Sequence, residues 1–327
     1  MRGYAVIIPT RDRGRTNYLR QAVDSVLGQT LPAAEVIVVS DGPAGAVQKA
    51  LANCPVEIVE RPAEGEARAR NAGIAASDSE WICFLDDDNL WHPEFLRTTD
   101  QFLNSNWHAR AVNTSGWTFA TDGEFGADLS ASDLAECLAV VDTRPSGHDT
   151  GYMDICGRSF ELLLERLRGT INTAVVRHDV VDKVGGFAQG FTYANDWLYF
   201  VNVARFVEWH YIPKRLAFHR EHSTRTTRTE STIGVETLRA MHHMWTEKSL
   251  PTPAHRPLTE YGRDYRFRVQ QVLWKAIHNR RLDLAQDALS LGMPLLPNWR
   301  DRVYALTPPQ ITWRIERMSA YEPGAGR

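Results

Sequence analysis

Cysteine is scarce in this 327-residue chain. The four present, Cys54, Cys83, Cys137 and Cys156, are spaced neither as a CxxC metal knuckle nor as a dense disulfide framework, so they are expected to be reduced and structural. Long apolar runs are missing too: nothing approaches the ~18 uninterrupted apolar residues of a membrane-spanning helix. The opening MRGYAVIIPTRDRGR sets one basic residue before a short apolar run that meets Pro and charge at once, which does not make a signal-peptide core. A cytoplasmic protein, with a peripheral position at the inner face of the membrane as its variant, is the resulting expectation. Excess charge is also lacking: the net charge is -3, so nothing global draws the chain to nucleic acid. With 22 Gly and 16 Pro and no repeat, collagen and disorder are excluded.

What is present is alternation. Short β-branched runs at Tyr4–Pro9, Glu35–Ser40, Val56–Glu60 and Glu80–Leu85 alternate with helical patterns, the signature of βαβ units and a largely parallel sheet. Leu19, Ala22, Val23, Val26 and Leu27 form the apolar stripe of the first helix, and Gly28 marks its end. Each run stops at a polar loop, and ligands of open α/β sheets bind beyond the carboxyl ends of the strands. Chemistry is therefore expected in those loops. Residues 110–120, 171–177 and 207–212 read as further strands, with a helix starting near Asn195. The segment 121–165 carries ten acids against two arginines and reads as a partly helical insertion. From 229 onward the periodicity is helical, and 255–327 holds twelve Lys or Arg against seven acids.

Two clusters carry chemistry by themselves. Asp86, Asp87 and Asp88 follow a buried strand directly, and mutually repelling carboxylates persist where a cation or hydroxyls compensate them. Oxygen donors at that spacing suit Mg²⁺ or Mn²⁺ with phosphate and water completing the shell, although a solvated acidic loop would have the same sequence. Further on, Asn195 is placed to cap a helix, which leaves Asp196 in the first turn, near the positive end of the dipole. There it can act as a proton acceptor or simply stabilise the helix start.

Together, IIPTRDR (7–13), VVSDG (38–42), GEARARNAGIAAS (65–77), FLDDDNLWHP (84–93), VGGF (184–187) and NDW (195–197) resemble the family 2 glycosyltransferases. That resemblance implies the GT-A fold: an α/β, mostly parallel Rossmann-like central sheet with helices on both faces, here with a C-terminal helical appendage. The implied domains are a catalytic one at 1–228, with a nucleotide-binding half at 1–110 and an acceptor-binding half at 111–228, and a helical region at 229–327. The resemblance also implies roles. Pro9, Thr10, Arg11 and Arg13 lie along the nucleotide base and ribose, and Asp41 hydrogen-bonds the base, typically uracil. Arg70 and Asn71 stand beside the nucleotide and diphosphate, Asp86 near the ribose, Asp87 nearer the donor sugar and Asp88 on the metal. Asp196 is the general base of inverting members. Asn195 stands where the family often has Glu, which bears on acceptor contacts. His222, in the run FHREHS, corresponds to a loop imidazole that completes the metal shell, with Arg220 near the diphosphate. Of Trp91, Trp117 and Trp197, one is expected to be a sugar platform, with Trp197 also near the acceptor.

The implied reaction moves a sugar from a nucleotide diphosphate sugar, typically a UDP-sugar, to an acceptor hydroxyl with inversion, assisted by Mn²⁺ or Mg²⁺. The acceptor is a small molecule, a glycan or a lipid-linked molecule, and the C-terminal helices are a candidate dimer contact. Two other classes stay open: a non-catalytic sugar-nucleotide or glycan-binding module, and a nucleotidyltransferase. IIPTRDRGR lacks the glycine cluster that the latter normally shows. No nucleic-acid partner is expected, because the arginines of 11–20 are broken up between a strand end and a helix start.

Overall fold

The computed structural model describes residues 2–11, 16–120, 157–222 and 232–313. Contacts divide the chain into two compact units, 1–229 with 249–253, and 230–248 with 254–327.

The first unit is built on an eight-stranded sheet ordered β3-β2-β1-β4-β7-β6-β8-β5. Its strands are β1 (Tyr4–Thr10), β2 (Glu35–Asp41), β3 (Glu57–Arg61), β4 (Trp81–Phe84), β5 (Leu90–Trp91), β6 (Ala111–Ala120), β7 (Ala174–Arg177) and β8 (Trp209–Glu221). The first four are parallel, with Val6 opposite both Val36 and Cys83. Their residues alternate between two covered faces. Tyr4, Val6 and Ile8 share a core with Leu19, Ala22, Val23 and Val26 of α1 (Thr16–Leu27). On the other face, Ile7 and Val39 press against Gly73 of α3 (Glu66–Ala75), where any Cβ would collide with Ile7; α2 is Gly45–Ala50. Helices thus pack on both faces, as β-strands buried on both sides require.

The second half of the sheet is mixed rather than parallel. β7 runs antiparallel to both β4 and β6, while β8 is parallel to β6 and antiparallel to β5. Apolar alternation specifies which face a residue takes but not the direction of its strand, so this half was not readable as mixed. β8 also continues beyond the expected end at Ile212. Pro213 lacks an N–H for the ladder, and the register shifts there, with Ile212 opposite Thr114 and Arg215 opposite Ser115, so the proline is absorbed at a bulge. Within 171–177, a 3₁₀ turn (Ile171–Thr173) precedes β7. Of the acidic insertion, 121–156 lies outside the described residues, and 159–165 is a helix, α5 (Ser159–Glu165). α4 (Phe95–Ser105), α6 (His178–Val184) and α7 (Asn195–Ala204) complete this unit. Cys54 and Cys83 are free thiols; Cys137 and Cys156 lie outside the described residues.

The second unit is helical: α8 (Ile233–Thr246), α9 (Leu258–His278), α10 (Leu282–Gly292) and α11 (Trp299–Leu306). Leu238, Met241, Tyr265, Val269, Ala288, Leu295 and Ala305 are buried in it. Gln270, 1% exposed, donates to Tyr304 O at 3.1 Å and Thr307 O at 2.7 Å, which satisfies carbonyls at the end of α11.

Candidate functional site

The carboxyl ends of β1, β2 and β4 open into a cleft of about 330 Å³. It is lined by Pro9, Thr10, Arg11, Asp41, Glu66, Arg70, Asp86, Asp87, Asp88, Asn195 and Asp196, among others. Most of the residues singled out in the sequence therefore converge in one place.

Arg70 is the hub. Its side chain is only 1% exposed, and its guanidinium donates to Glu66 Oε1 at 2.6 Å, Asp86 Oδ1 at 2.8 Å, Asp196 Oδ1 at 2.8 Å and Asn195 Oδ1 at 2.9 Å. The group lies 5.1 Å from the centre of the Phe187 ring, which stacks on Tyr199. Each partner is an anion or an amide oxygen, so the cation stays charged despite its burial, and the anions hold its pKa above the ordinary arginine value. Asp196 titrates above the usual carboxylate range: burial raises it, the Asp86 charge adds to this, and Arg70 opposes both. Glu66 is shifted the same way, by burial first and then by Asp86, Asp196 and Asp87 against Arg70.

The acidic loop is fixed residue by residue. Asp86 accepts from Asn172 Nδ2 at 2.7 Å, and its backbone N–H donates to Asn172 Oδ1 at 2.6 Å. Thr10 Oγ1 donates to Asp87 Oδ2 at 2.6 Å. Asp88 Oδ2 lies 3.0 Å from His222 Nε2. Among the described residues no group of three His, Cys, Asp or Glu is arranged to hold a metal ion. The Asp88–His222 pair still fits a metal that takes few protein ligands. Two adjacent ligands at about 2.1 Å from an octahedral ion lie about 3.0 Å apart, and Mg²⁺ and Mn²⁺ fill the remaining positions with phosphate and water. Asp41, 6% exposed, accepts from the backbone N–H groups of Glu64 (2.7 Å) and Gly65 (3.1 Å), and so shapes the approach to α3.

Several of the expected site residues make contacts within the protein. Asn71 grips Phe187 from both sides, Nδ2 donating to Phe187 O at 2.9 Å and Oδ1 accepting from Phe187 N at 2.7 Å, so its amide is spent on the Gly-Gly-Phe turn. Gly186 has φ +76 there, and a Cβ would collide with Asn71 Oδ1, which explains the glycine. Asn195 does not cap its helix: it is the first helical residue, and its amide ties Arg70 to Thr192 O at 3.0 Å. Trp197 is buried, donating to Leu163 O at 2.6 Å, and Trp91 is stacked 4.0 Å from Phe95 and donates to Asn172 O at 2.7 Å; neither indole faces the cleft. Trp117 is half-buried beneath the Arg215 guanidinium, 3.6 Å from its ring centre. Arg220 is 3% exposed, sandwiched between Tyr18 and Phe119, with Nε on Asp88 O at 2.9 Å; it fixes the acidic loop from behind. Arg13 lies outside the described residues. The sequence reading missed Glu66, Asn172 and His219, which also line the cleft. Glu66 carried a signal, an acid four residues before Arg70 on a helix face; Asn172 carried none.

Residues 5–126 match the family model Glycosyl transferase family 2. The chain is 32% identical over 148 residues to the succinoglycan biosynthesis protein ExoW of Rhizobium meliloti, covering 41% of this chain and 44% of that protein. It is 37% identical over 91 residues to the pre-mycofactocin glycosyltransferase of Mycobacterium tuberculosis, covering 27% and 18%. An uncharacterized glycosyltransferase of Rickettsia bellii is 35% identical over 106 residues, covering 31% of this chain and 15% of that protein. The chain thus matches less than half the length of these relatives. Among solved structures, S. aureus TarS 1–349 in complex with UDP-GlcNAc gives a TM-score of 0.61 at 13% identity, covering 90% of this chain and 82% of that one. The mannosyltransferase PcManGT from Pyrobaculum calidifontis, in complex with GDP-Man and Mn²⁺, gives 0.55 at 14% identity, covering 98% and 81%. At such identities the likeness is one of fold, and the fold is the GT-A-like α/β fold that the motifs led us to expect.

Proposed function

We propose that the protein is a metal-dependent, inverting glycosyltransferase of the family 2 type, which moves a sugar from a nucleotide diphosphate sugar to an acceptor hydroxyl. The observation that carries this reading is the shared guanidinium: Arg70 binds Asp86 and Asp196 at 2.8 Å each, which joins the acidic loop and the candidate base in one cleft. Supporting it are the family match over 5–126 and a fold shared with proteins seen in complex with UDP-GlcNAc and GDP-Man. A UDP-sugar is the simplest donor for a chain with Asp41 at the base-binding position. The unit containing 1–228 supplies both halves of the site, and the acceptor is a small molecule, a glycan or a lipid-linked molecule.

In this reading Asp196 takes the acceptor's proton. Arg70 engages Oδ1, while Oδ2 accepts no hydrogen bond from the described residues and is left for the substrate. A pKa raised by burial makes the carboxylate a better base than a solvated one, and Arg70 keeps it ionised enough to act. Asp86 and Asp87 orient the donor from positions locked by Asn172 and Thr10. Asp88 and His222 would hold the divalent ion, which supplies charge neutralisation to the departing nucleotide diphosphate.

A thermal-unfolding screen of UDP, GDP and dTDP with and without Mn²⁺ tests the binding half of this reading. A nucleoside diphosphate that raises the melting temperature only when Mn²⁺ is present is the expected result, because a ligand of the native state stabilises it in proportion to its affinity. No shift with any of them would remove the nucleotide-sugar reading.

A further inference from the structure

Most of the large apolar side chains that stand exposed among the described residues lie in the second unit, and five fall within fifteen residues of one another. Trp299, Val303 and Leu306 recur at i, i+4 and i+7 along α11 with exposures of 69%, 53% and 48%, which places them on one face of that helix. Ile311 and Trp313 follow, at 48% and 55%. This row is not misplaced core. The opposite side of α11 is already packed, with Ala305 fully buried and Gln270 holding the carbonyls at the helix end.

The charges are sorted the same way. Asp301, the only acid in 299–313, is turned inward, 7% exposed and paired with Arg266 Nη1 at 3.1 Å. Arg300 and Arg302 are exposed beside the apolar row. The outward surface of α11 therefore offers Trp299, Val303 and Leu306 with two arginines beside them and no carboxylate from this segment. Indoles favour the interface between headgroups and acyl chains, and arginines favour anionic headgroups. No helix among the described residues is long and apolar enough to cross a membrane, so contact through this face would be in the plane of the interface.

We propose that the outward face of 299–313 is a docking surface for an anionic lipid bilayer. A second copy presenting the same face fits it less well, because it would bring two more arginines and no free carboxylate of 299–313 to pair with them. The inference is independent of the transferase reading, and its failure would leave that reading untouched.

The test is co-sedimentation of the full chain with phosphatidylcholine vesicles, with and without phosphatidylglycerol. The expected result is partitioning onto the anionic vesicles at least about tenfold stronger than onto the neutral ones, weakened by salt and accompanied by a blue shift of tryptophan fluorescence. The double variant Trp299→Glu, Val303→Glu should abolish it, and Arg300→Gln alone should reduce the preference for phosphatidylglycerol. These side chains are exposed, so thermal unfolding should stay near that of the wild type. Three results would each overturn the proposal: wild-type protein that ignores anionic vesicles, binding unchanged in the double variant, and a concentration-dependent dimer that the double variant dissolves. The salt response of the wild type decides the matter even if the double variant does not fold.

Discussion

Replacing Arg70 with methionine keeps most of the side-chain volume and removes the cation that Glu66, Asp86 and Asp196 share. Leaving a buried charge without its partner costs about 3–5 kcal/mol. Here the stranded carboxylates are not fully enclosed: the side chains of Asp86 and Asp196 are 26% exposed and that of Glu66 43%. Water screens them in part, so the lower end, about 3 kcal/mol at pH 7, is the expected loss. Its pH dependence is the sharper part of the prediction. Arg70 lowers the pKa of Glu66 and of Asp196, so without it both rise further above their unfolded values. A carboxylate with a raised folded-state pKa weakens the fold when ionised. That penalty is present in full above the folded pKa and disappears below the unfolded value of about 4. The Asp196 part of the difference between wild type and Arg70→Met should therefore shrink as pH falls from 7 to 5, while Glu66, lifted higher still with Arg70 in place, contributes only above that range. Urea unfolding at the two pH values, with the slope m compared with that of wild type, measures it. A loss below about 1 kcal/mol, or one that is the same at both pH values, would refute the hub. Arg70→Lys should fall between the two, because an ammonium cannot reach acceptors on several sides as a guanidinium does.

Three further outcomes follow from the same geometry. With Asp196 as a base whose pKa is raised, kcat/KM should fall as pH drops through a value above the ordinary carboxylate range of about 4, and a limb at or below 4 in a pH–rate profile would contradict that role. Asp88→Ala should weaken nucleotide binding in the presence of Mn²⁺ by about tenfold or more while leaving metal-free binding unchanged; calorimetry that finds equal affinity with Mn²⁺ would count against Asp88 as a ligand. Gly186→Ala should destabilise the protein by about 1–3 kcal/mol, since the new methyl meets Asn71 in a backbone conformation that disfavours any side chain; an unchanged urea midpoint would show that the Gly-Gly-Phe turn is not the brace described.

The parallel half of the sheet was legible because its strands are buried on both faces, which leaves continuous β-branched runs, and because α1 carries an uninterrupted apolar stripe. The loops that build the cleft were legible for the same topological reason: they follow strands whose direction the alternation with helices had fixed. What stayed hidden depends on how distant segments approach. Asn71 and Phe187 are 116 positions apart, and only their meeting decides that an amide next to Arg70 braces a turn instead of facing a ligand. Asn195 sat in a capping context, yet the arrival of Arg70 from another helix drew its carbonyl away. The indoles of Trp91 and Trp197 look in sequence like any aromatic beside a polar loop, and the backbone carbonyls that accept their N–H groups lie on other elements. Pro213 reads as a strand end, while in the sheet it sits at a bulge that lets β8 run on to the acidic loop.

Hydrolytic release of nucleotide diphosphate from a panel of nucleotide diphosphate sugars with Mn²⁺, with water taking the acceptor's place and giving its proton to Asp196, followed in wild type and Asp196→Asn alongside calorimetric nucleotide binding, tests the central claim most directly. The account predicts turnover of at least one donor by the wild type. In the variant it predicts a loss of about 10²-fold or more, with nucleotide affinity within about threefold of wild type, because removing the base affects the transition state and leaves the bound ground state nearly intact. Turnover in Asp196→Asn at more than a few per cent of wild type, or none by the wild type with any donor, would contradict it.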